Sequence, residues 1–312
     1  MNRLYSFVLP AFKASFFKEA IDSILAQTYT NFELIIVNDA SPEDLDSIVE
    51  SYNDPRIQYF KNTENIGGKD LVAQWNKCLK YAMGEYIILA SDDDLYNANY
   101  LAEMDRLVEM YPQVNVIKPR ICSIDASGKI IWVESVMKEY SSVFEFLYFK
   151  NCNFILSGIP YFVLKKEVLL SIDGFVNYPL AWHSDDATIA IMAQDGVASS
   201  TNILFSFRQS GENITSKVND ANILYKKLCA TKKYYDWYTV FLANLSANNL
   251  YDNFYKAKIT ANLMEKKRND CINWTRSSRI SAILTNFRFI LKSQLIPIFS
   301  LLRIVIKKLF QR

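Results

Sequence analysis

The stretch Tyr86-Ile87-Ile88-Leu89-Ala90-Ser91-Asp92-Asp93-Asp94 joins an apolar run directly to three consecutive carboxylates. The apolar run is too short for most helices and follows Gly84, which predicts a buried β-strand. Three carboxylates at one strand end repel one another and resist removal from water. A divalent cation would offset that cost, because carboxylate oxygens suit Mg²⁺ or Mn²⁺. The alternative is a solvated acidic loop that caps a helix beginning near Ala98.

Apolar strands and amphipathic helices alternate through the first 120 residues. Strands are predicted at 4–9, 32–37, 57–60, 86–90 and 114–117, and helices at 15–27, 42–52, 69–83 and 98–110. This alternation with short links predicts a mostly parallel α/β sheet. Ligands bind such sheets beyond the carboxyl ends of the strands, which is where Pro10, Asp39 and the acidic triplet Asp92–Asp94 fall.

The second half of the chain has a different pattern. A hairpin is predicted at 121–133, a helix at 184–193 and an extended segment at 197–207. From about residue 219 to the end the pattern is helical and rich in aromatic residues. We therefore predict an α/β domain over residues 1–218 and a helical region over residues 219–312.

Charge is unevenly distributed along the 312 residues, although the net charge is only +2. The first 270 residues carry 27 basic and 33 acidic side chains, and eight Lys and Arg with no acidic residue follow Asp270. A nucleic-acid-binding protein would place its basic surface on the folded domain, so that class is disfavoured. An acidic body with a basic, apolar tail is typical of contact with an anionic membrane surface.

The last residues predict an amphipathic helix rather than a membrane-spanning one. Basic residues and Pro297 interrupt the tail, so no apolar stretch reaches the roughly 18 residues that a span needs. One arc of the helix after Pro297 collects the apolar side chains Ile298, Phe299, Leu302, Val305, Ile306, Leu309 and Phe310. We expect this helix to lie on the membrane surface. The alternative is a terminal helix packed on its own domain.

The cysteines and the N-terminus bear on cellular location. The five cysteines are odd in number and lack the spacing of a metal or redox site, which favours reduced thiols. The N-terminus does not have the pattern of a signal peptide. We expect a cytoplasmic protein that associates peripherally with the inner face of the cell membrane.

Motifs along about the first 215 residues resemble those of the family 2 glycosyltransferases, which have the GT-A fold. The matching stretches are 6–12, 23–29, 32–41, 65–68, 75–76, 84–86, 91–94, 166–169, 174–175, 184–186, 207–208 and 213–215. Two positions depart from the family pattern. Gln74-Trp75 stands where a basic residue is usual before Asn76, and Arg208-Gln209-Ser210 replaces a frequent R-x-H.

The resemblance implies an inverting enzyme that transfers a sugar from a nucleotide-sugar donor with the help of Mn²⁺ or Mg²⁺. It assigns the metal to Asp94, with Asp92 assisting through the metal or the ribose, and leaves Asp93 less defined. It also places the general base at Asp185, with the adjacent Asp186 as the alternative. On their own, these two acids would also suit the N-terminus of a helix.

The resemblance further implies a donor site around the nucleotide. Its predicted members are Pro10, Phe12, Asp39, Asn65, Gly67, Lys69, Asn76, Asp92, Asp93 and Arg208. Asp39 would accept hydrogen bonds from the base, although an Asx-turn before Pro42 explains it equally well. Arg208 suits either a phosphate contact or an ion pair. The single histidine, His183, is best explained as a loop residue without a special role.

The expected donor is a UDP-sugar, and the expected acceptor is a saccharide or a lipid-linked saccharide in surface polysaccharide biosynthesis. Nucleotidyl transfer is an alternative that uses a related sheet, but it usually brings a Gly-rich basic loop after the first strand. Residues 10–15 contain no glycine and one lysine. A non-catalytic, membrane-associated protein that binds nucleotide sugars is the second alternative.

Overall fold

The computed structural model describes residues 3–211 and 220–310. The chain divides into two compact units. Unit 1 comprises Met1–Val176 and Thr188–Gly211, and unit 2 comprises Asn177–Ala187 and Glu212–Arg312. The segment Asn177–Ala187, which carries the candidate base, thus groups with the helical region. The predicted boundary at residue 218 and the motif at 213–215 lie outside the described residues.

Unit 1 is built on one sheet. Its described strands are β1 (Tyr5–Ala11), β2 (Phe32–Asn38), β3 (Ile57–Lys61), β4 (Tyr86–Leu89), β5 (Leu95–Tyr96), β6 (Val116–Asp125), β7 (Ile130–Val133), β8 (Tyr140–Ser141), β9 (Val163–Lys165) and β10 (Val197–Gln209). They run in the order β3-β2-β1-β4-β9-β6-β10-β5, with β7 on β6 and β8 on β10.

The strand directions differ between the two halves of this sheet. The pairs β2–β3, β1–β2 and β1–β4 are all parallel, so their carboxyl ends meet at one edge. Beyond β4, β9 runs antiparallel to both of its neighbours, while β6 and β10 are parallel. The predicted α/β class is therefore confirmed, with a sheet that is parallel in its first half and mixed in its second.

Helices and strands of unit 1 enclose an apolar core. Its helices are α1 (Phe17–Leu25), α2 (Asp46–Glu50), α3 (Leu71–Cys78), α4 (Tyr100–Met110), α5 (Val143–Asn151) and α6 (Lys166–Ser171). Helix α7 (Ser184–Met192) has its first four residues in unit 2 and the rest in unit 1. Strands β1, β2 and β4 are buried along nearly their whole length, because helices cover both faces of a parallel sheet. Helix α1 buries Phe17, Ala20, Ile21 and Ile24, as its helical spacing predicts.

The described part of unit 2 is helical apart from short connections. Its remaining helices are α8 (Ala221–Asn244), α9 (Leu250–Arg276), α10 (Ile280–Thr285), α11 (Phe287–Ser293) and α12 (Ile298–Phe310). Leu224 and Leu228 of α8, Ile283 of α10, and Leu301 and Ile304 of α12 share one buried cluster. The terminal helix therefore contributes to the core of its own unit. No helix in the described residues is long and apolar enough to cross a membrane.

Candidate active site

The carboxyl ends of β1, β2 and β4 meet in a strand-end corner that contains several predicted donor residues. The backbone N–H of Asp39 donates to the carbonyl of Ala11 over 3.0 Å. The backbone N–H groups of Phe12 and Lys13 donate to Oδ2 of Asp92 over 2.9 and 2.8 Å. Phe12 is 38% exposed, which leaves part of this aromatic residue accessible at the corner. The structure thus brings Asp39, Phe12 and Asp92 together.

The acidic triplet behind β4 is almost entirely removed from water. Asp92, Asp93 and Asp94 are 7%, 5% and 1% exposed. Asp94 accepts hydrogen bonds from the hydroxyl of Ser91 and, over 2.8 Å, from the backbone N–H of Arg208. Burial, followed by the negative charge of Asp93, raises the pKa of Asp94 to about 7. Burial also raises the pKa of Asp92, although the charge of Lys13 opposes this.

Lys13 is a cation within the same corner that the motif analysis did not single out. Its Nζ lies 3.0 Å from Oδ2 of Asp93 and 3.5 Å from Oδ1 of Asp92. Burial lowers the pKa of Lys13, but the charges of Asp92 and Asp93 outweigh that effect and raise the pKa above its usual value. One positive charge is therefore shared between two carboxylates.

The corner suits a hard divalent cation by its donor chemistry. Carboxylate oxygens are the ligands that Mg²⁺ and Mn²⁺ prefer. Among the described residues, however, no three His, Cys, Asp or Glu side chains form a group able to hold a metal. Such an ion would be held by at most two carboxylates, with oxygens from outside the chain completing its shell, which is usual for Mg²⁺ with a phosphate substrate.

Asp39 fastens a loop to the end of β2. Its Oδ1 accepts from the backbone N–H of Ile66 at 2.9 Å and from Nδ2 of Asn62 at 2.7 Å, and its Oδ2 accepts from the N–H of Gly67 at 2.6 Å. A Cβ at Gly67 would lie 2.9 Å from Asp39 Oδ2, so a larger residue there would force the Asp39 carboxylate or the loop to shift. A carboxylate offers about four acceptor positions, and these three bonds leave room for one more.

A buried polar chain behind Asp39 was also missed by sequence reasoning. Lys77 donates to Oδ1 of Asn62 over 2.6 Å, and Nδ2 of Asn62 donates to Oε1 of Gln74 over 2.8 Å. Because lysine can only donate, it fixes the orientation of both amides. The sequence offers no signal for this chain, since its members are ordinary residues whose meeting depends on the path of the loop.

The other residues predicted to bind the sugar donor differ in their contacts. Asn65 accepts from the N–H of Gly68, and the exposed Lys69 pairs with Glu64 over 2.6 Å. Asn76 points elsewhere: its Oδ1 accepts from the N–H of Phe175 over 2.9 Å. Asn76 therefore holds the segment that precedes the candidate base, within unit 1. Pro10 lies in β1, one residue before its end at Ala11.

Arg208 lies behind the acidic triplet and is almost fully buried. Its Nε donates to the carbonyl of Asp93 over 2.8 Å, and its Nη2 donates to Oε2 of Glu19 over 2.7 Å. The guanidinium also lies over the ring of Phe16, 4.2 Å from the ring centre. These contacts favour the ion-pair interpretation of Arg208, and they support the backbone of the triplet.

Asp185 and Asp186, the two candidates for the general base, lie in the first turn of helix α7. The carboxylate of Asp185 accepts the backbone N–H of Asp186 over 2.8 Å, and both side chains are half-buried. Nδ1 of His183 lies 2.9 Å from Oδ2 of Asp186. The imidazole stacks on Tyr234, with the ring centres 4.5 Å apart and the planes within 5°. His183 therefore contacts both Asp186 and Tyr234, and the expectation that it has no special role stays a prediction.

The turn before α7 adopts a strained backbone. Leu180, Ala181 and His183 have φ values of +62°, +55° and +67°. These values lie in the left-handed region, which residues other than glycine, asparagine and aspartate rarely adopt. Nearby, the ammonium of Lys227 lies 4.2 Å from the ring centre of Trp182. Such strain persists only where surrounding contacts hold it, and it concentrates at functional sites.

The strand-end corner lies within a region that matches a known family. The family model described as Glycosyl transferase family 2 matches residues 6–167, just over half of the chain. The chain belongs to glycosyl transferase family 2. The family resemblance of the motifs is thereby confirmed. Asp185, Asp186 and Arg208 lie beyond the matched residues.

Individual glycosyltransferases show the same relationship. The putative colanic acid biosynthesis glycosyl transferase WcaA of Escherichia coli K12 is 39% identical over 114 residues, which cover 34% of this chain and 40% of WcaA. The chain spans well under half the length of the first curated relatives that it matches.

Two solved structures show that the fold is of the GT-A type, as predicted. S. aureus TarS 1–349 in complex with UDP-GlcNAc has a TM-score of 0.66 at 15% identity, over 96% of this chain and 90% of that one. The mannosyltransferase PcManGT from Pyrobaculum calidifontis in complex with GDP-Man and Mn²⁺ has a TM-score of 0.54 at 15% identity, over 99% and 88%.

Proposed function

We propose that this protein is an inverting glycosyltransferase that moves a sugar from a UDP-sugar to a saccharide or lipid-linked saccharide. The observation that carries the proposal is the strand-end corner, where Asp39, the open ring of Phe12 and the acidic triplet lie together in the family-matched region. Such an edge is where parallel α/β sheets bind nucleotides. The similarity to TarS bound to UDP-GlcNAc supports UDP, and the similarity to WcaA supports surface polysaccharide synthesis.

The nucleotide end of the donor is assigned to Asp39 and Phe12. Asp39 retains one acceptor position for an N–H of the base, and the ring of Phe12 offers an apolar face against which a base can pack. The loop residues Asn65 and Gly67, which the Asp39 bonds hold in place, would line the same side. Lys69, exposed beside them, adds positive charge for the phosphates.

The diphosphate end is assigned to the acidic triplet. A bound Mg²⁺ or Mn²⁺ would supply Lewis-acid stabilisation of the charge that develops on the leaving diphosphate. The sequence-based assignment of this ion to Asp94 and Asp92 stays a prediction. Asp93, the less certain member in the sequence analysis, is a further candidate, because its Oδ2 faces the ammonium of Lys13, a positive charge that a metal could replace.

We assign Asp185 as the general base that removes the proton of the acceptor hydroxyl. Both aspartates begin α7, where the helix terminus favours negative charge. The imidazole of His183 engages Asp186, which supports Asp185 over Asp186 as the general base. An acceptor oxygen deprotonated by Asp185 would attack the anomeric carbon from the face opposite the leaving diphosphate, which inverts that centre.

The experiment that tests the donor assignment is a thermal-shift panel of nucleoside diphosphate sugars, with and without Mn²⁺. UDP-sugars with Mn²⁺ should raise the unfolding temperature most, and Asp39→Asn should remove that shift. The control is Asp54→Asn, whose carboxylate pairs with Arg56 away from the corner. Sugar transfer or donor hydrolysis by the UDP-sugar that shifts most should follow. A panel in which no nucleotide sugar shifts the transition would refute the proposal.

We also propose that α12 attaches the protein to the cytoplasmic face of an anionic membrane. The helix buries Leu301 and Ile304 in its own unit but leaves Phe299 and Phe310 each 84% exposed. The basic side chains of Arg303 and Lys307 are exposed on the same short helix. Apolar side chains next to cations are suited to the boundary between lipid headgroups and acyl chains.

Point variants test this attachment better than a truncation, because removing α12 would also remove core residues. The double variant Phe299→Ser/Phe310→Ser should lose co-sedimentation with vesicles rich in phosphatidylglycerol. Leu250→Ser is the matched control, since Leu250 is 80% exposed at the start of α9. Unchanged co-sedimentation of the double variant, or equal binding to neutral phosphatidylcholine vesicles, would refute the attachment.

A further inference from the structure

Lys13 has no part in the function proposed above, although its ammonium lies inside the strand-end corner. The Nζ is 3.0 Å from Asp93 Oδ2 and 3.5 Å from Asp92 Oδ1. The Lys13 side chain is 27% exposed, and those of Asp92 and Asp93 are 9% and 7% exposed. The ion pair is thus shielded from water on the carboxylate side, where an electrostatic contact is stronger than at a surface.

The backbone holds this lysine in place. The N–H groups of Phe12 and Lys13 both donate to Asp92 Oδ2, so the carboxylate that receives the ammonium also fixes the start of its side chain. Lys18 provides a contrast within the same unit. Its side chain is 63% exposed, and it pairs with Asp22 one turn along a surface helix, a contact of little energetic value.

An ammonium and a divalent cation compete for the same oxygens. Each lone pair that contacts Lys13 is unavailable to a metal, and two positive charges a few ångströms apart repel one another. Lysine is also a compact charge on a flexible four-carbon stem, and it can pass from one anion to another. A donor diphosphate would present such an anion to the corner.

We propose that Lys13 is a resident counter-ion of Asp92 and Asp93, which a divalent cation displaces and which then binds the donor diphosphate. This inference rests on the metal and diphosphate parts of the proposed function. Without a nucleotide, metal binding must move the ammonium away from its carboxylates with no new partner. With a nucleotide, the phosphate oxygens receive the displaced charge. Metal and nucleotide therefore bind cooperatively, each raising the affinity for the other by the same factor.

Binding of Mn²⁺, followed by electron paramagnetic resonance of the free ion, tests this role independently of catalysis. The full chain and its Lys13→Met variant are titrated with Mn²⁺, alone and with saturating UDP. Methionine keeps the length of the stem and the backbone N–H but removes the charge. Lys18→Met is the matched control. We expect Lys13→Met to bind Mn²⁺ alone roughly tenfold tighter and to lose roughly tenfold of the enhancement by UDP.

The outcomes separate this inference from the proposed function. Equal Mn²⁺ affinity of Lys13→Met and the unsubstituted protein, or weaker binding by the variant, would overturn the role of Lys13 and leave the metal site standing. If neither protein bound Mn²⁺ even with UDP, both this role and the metal part of the proposed function would fall. UDP binding in the same samples, followed by calorimetry, would then show whether the nucleotide site survives.

Discussion

The two groups of adjacent aspartates in this chain are built in opposite ways. Asp92, Asp93 and Asp94 follow a buried strand and are between 1% and 7% exposed. Asp185 and Asp186 begin a helix and are half-buried. The first group lies in unit 1 among backbone N–H donors and Lys13, and the second lies in unit 2 with His183 as a partner of Asp186.

This difference shows how the local environment gives identical side chains different roles. A strand end has almost no dipole to stabilise negative charge. The triplet therefore needs a positive charge beside it, from Lys13 or from a metal. A helix N-terminus supplies free N–H groups and about half a positive charge of its own. The triplet is therefore suited to gather cations and phosphates, whereas the α7 pair is suited to hold a carboxylate ready to accept a proton.

The largest expected effect comes from removing the proposed base. Asp185→Asn should lower the turnover of sugar transfer by about 10²- to 10⁴-fold, because general-base catalysis contributes about that much. Donor binding should survive, since the donor is assigned to the strand-end corner. Steady-state kinetics and UDP titration calorimetry measure the two effects.

Asp186→Asn is the matched control for this substitution. It also removes one carboxylate from the start of α7, but from the residue that His183 engages. A greater loss of turnover in Asp186→Asn than in Asp185→Asn would reverse the assignment of the base. Equal and small losses in both variants would contradict a catalytic role for the α7 pair.

The pH dependence of stability should distinguish the triplet from the α7 pair. The pKa of Asp94 is raised to about 7 in the folded protein, so folding favours its protonated form. This protonation adds to the free energy of unfolding at and below about pH 4, and the contribution is lost as the pH rises through 7. The full contribution is on the order of 4 kcal/mol. Asp94→Asn keeps the shape without the titration. The unfolding temperature of Asp94→Asn minus that of the unsubstituted protein should therefore increase between pH 5 and pH 8.

Mn²⁺ sharpens the same measurement. An ion bound at the triplet should recover part of the stability that the unsubstituted protein loses at pH 8, because a ligand that binds only the folded state stabilises it. Parallel pH profiles for Asp94→Asn and the unsubstituted protein would contradict the burial of an unfavourable charge at this position.

Sequence patterns predicted the first half of the sheet better than the second. Strands β1, β2 and β4 are continuous apolar runs because both of their faces are buried, and a single sequence reveals such runs. Strand β9 has only three residues, and its pairing depends on partners far away in the chain. The predicted helix 42–52 is shorter in the structure, at Asp46–Glu50.

Pro119 explains one difference in particular. The sequence predicted a strand at 114–117 and a separate hairpin beginning at 121. Proline lacks the N–H that a strand ladder uses. The structure has one strand, Val116–Asp125. Its partner β10 shifts register opposite this proline: Lys118 pairs with Ser199, and Arg120 pairs with Ile203. A bulge in the neighbouring strand thus accommodates the missing N–H donor.

The site was predictable where it depends on strand ends and unpredictable where it depends on loops. Asp39 directly follows β2 and Asp92 lies three residues after the end of β4, so the α/β rule was sufficient to bring them together. Lys13 and Asn62 reach the corner from connections whose paths leave no periodic signal. The contacts of His183 were not predicted, because its partners Asp186 and Tyr234 come from the first turn of α7 and from a helix about fifty residues later.

A smaller effect is expected from the two hydrogen bonds that Asp92 accepts from the backbone at the end of β1. Asp92→Ala leaves the N–H groups of Phe12 and Lys13 without their acceptor in a largely buried corner, which should cost about 2 kcal/mol. Asp185→Ala removes an acceptor at a half-buried helix terminus and should cost about 0.5–1 kcal/mol. Urea unfolding measures both values. Equal costs would contradict the claim that the triplet is part of the fold and the α7 pair is not.

The smallest effect concerns His183, which links the α7 pair to its turn. His183→Leu removes the bond to Asp186 and places a branched apolar residue at a φ of +67°, whereas His183→Asn keeps an N–H donor and tolerates that backbone region. We expect Leu to lower kcat several-fold with little change in the KM for the donor, and Asn to restore most of the loss. A residue that only packs against Tyr234 would give the opposite order, because leucine preserves more apolar contact than asparagine. Because the backbone N–H of Asp186 donates to Asp185, restoration by Asn would identify the contact between residue 183 and Asp186 as what holds Asp185 in position. Failure of Asn to restore kcat would assign the imidazole to packing alone.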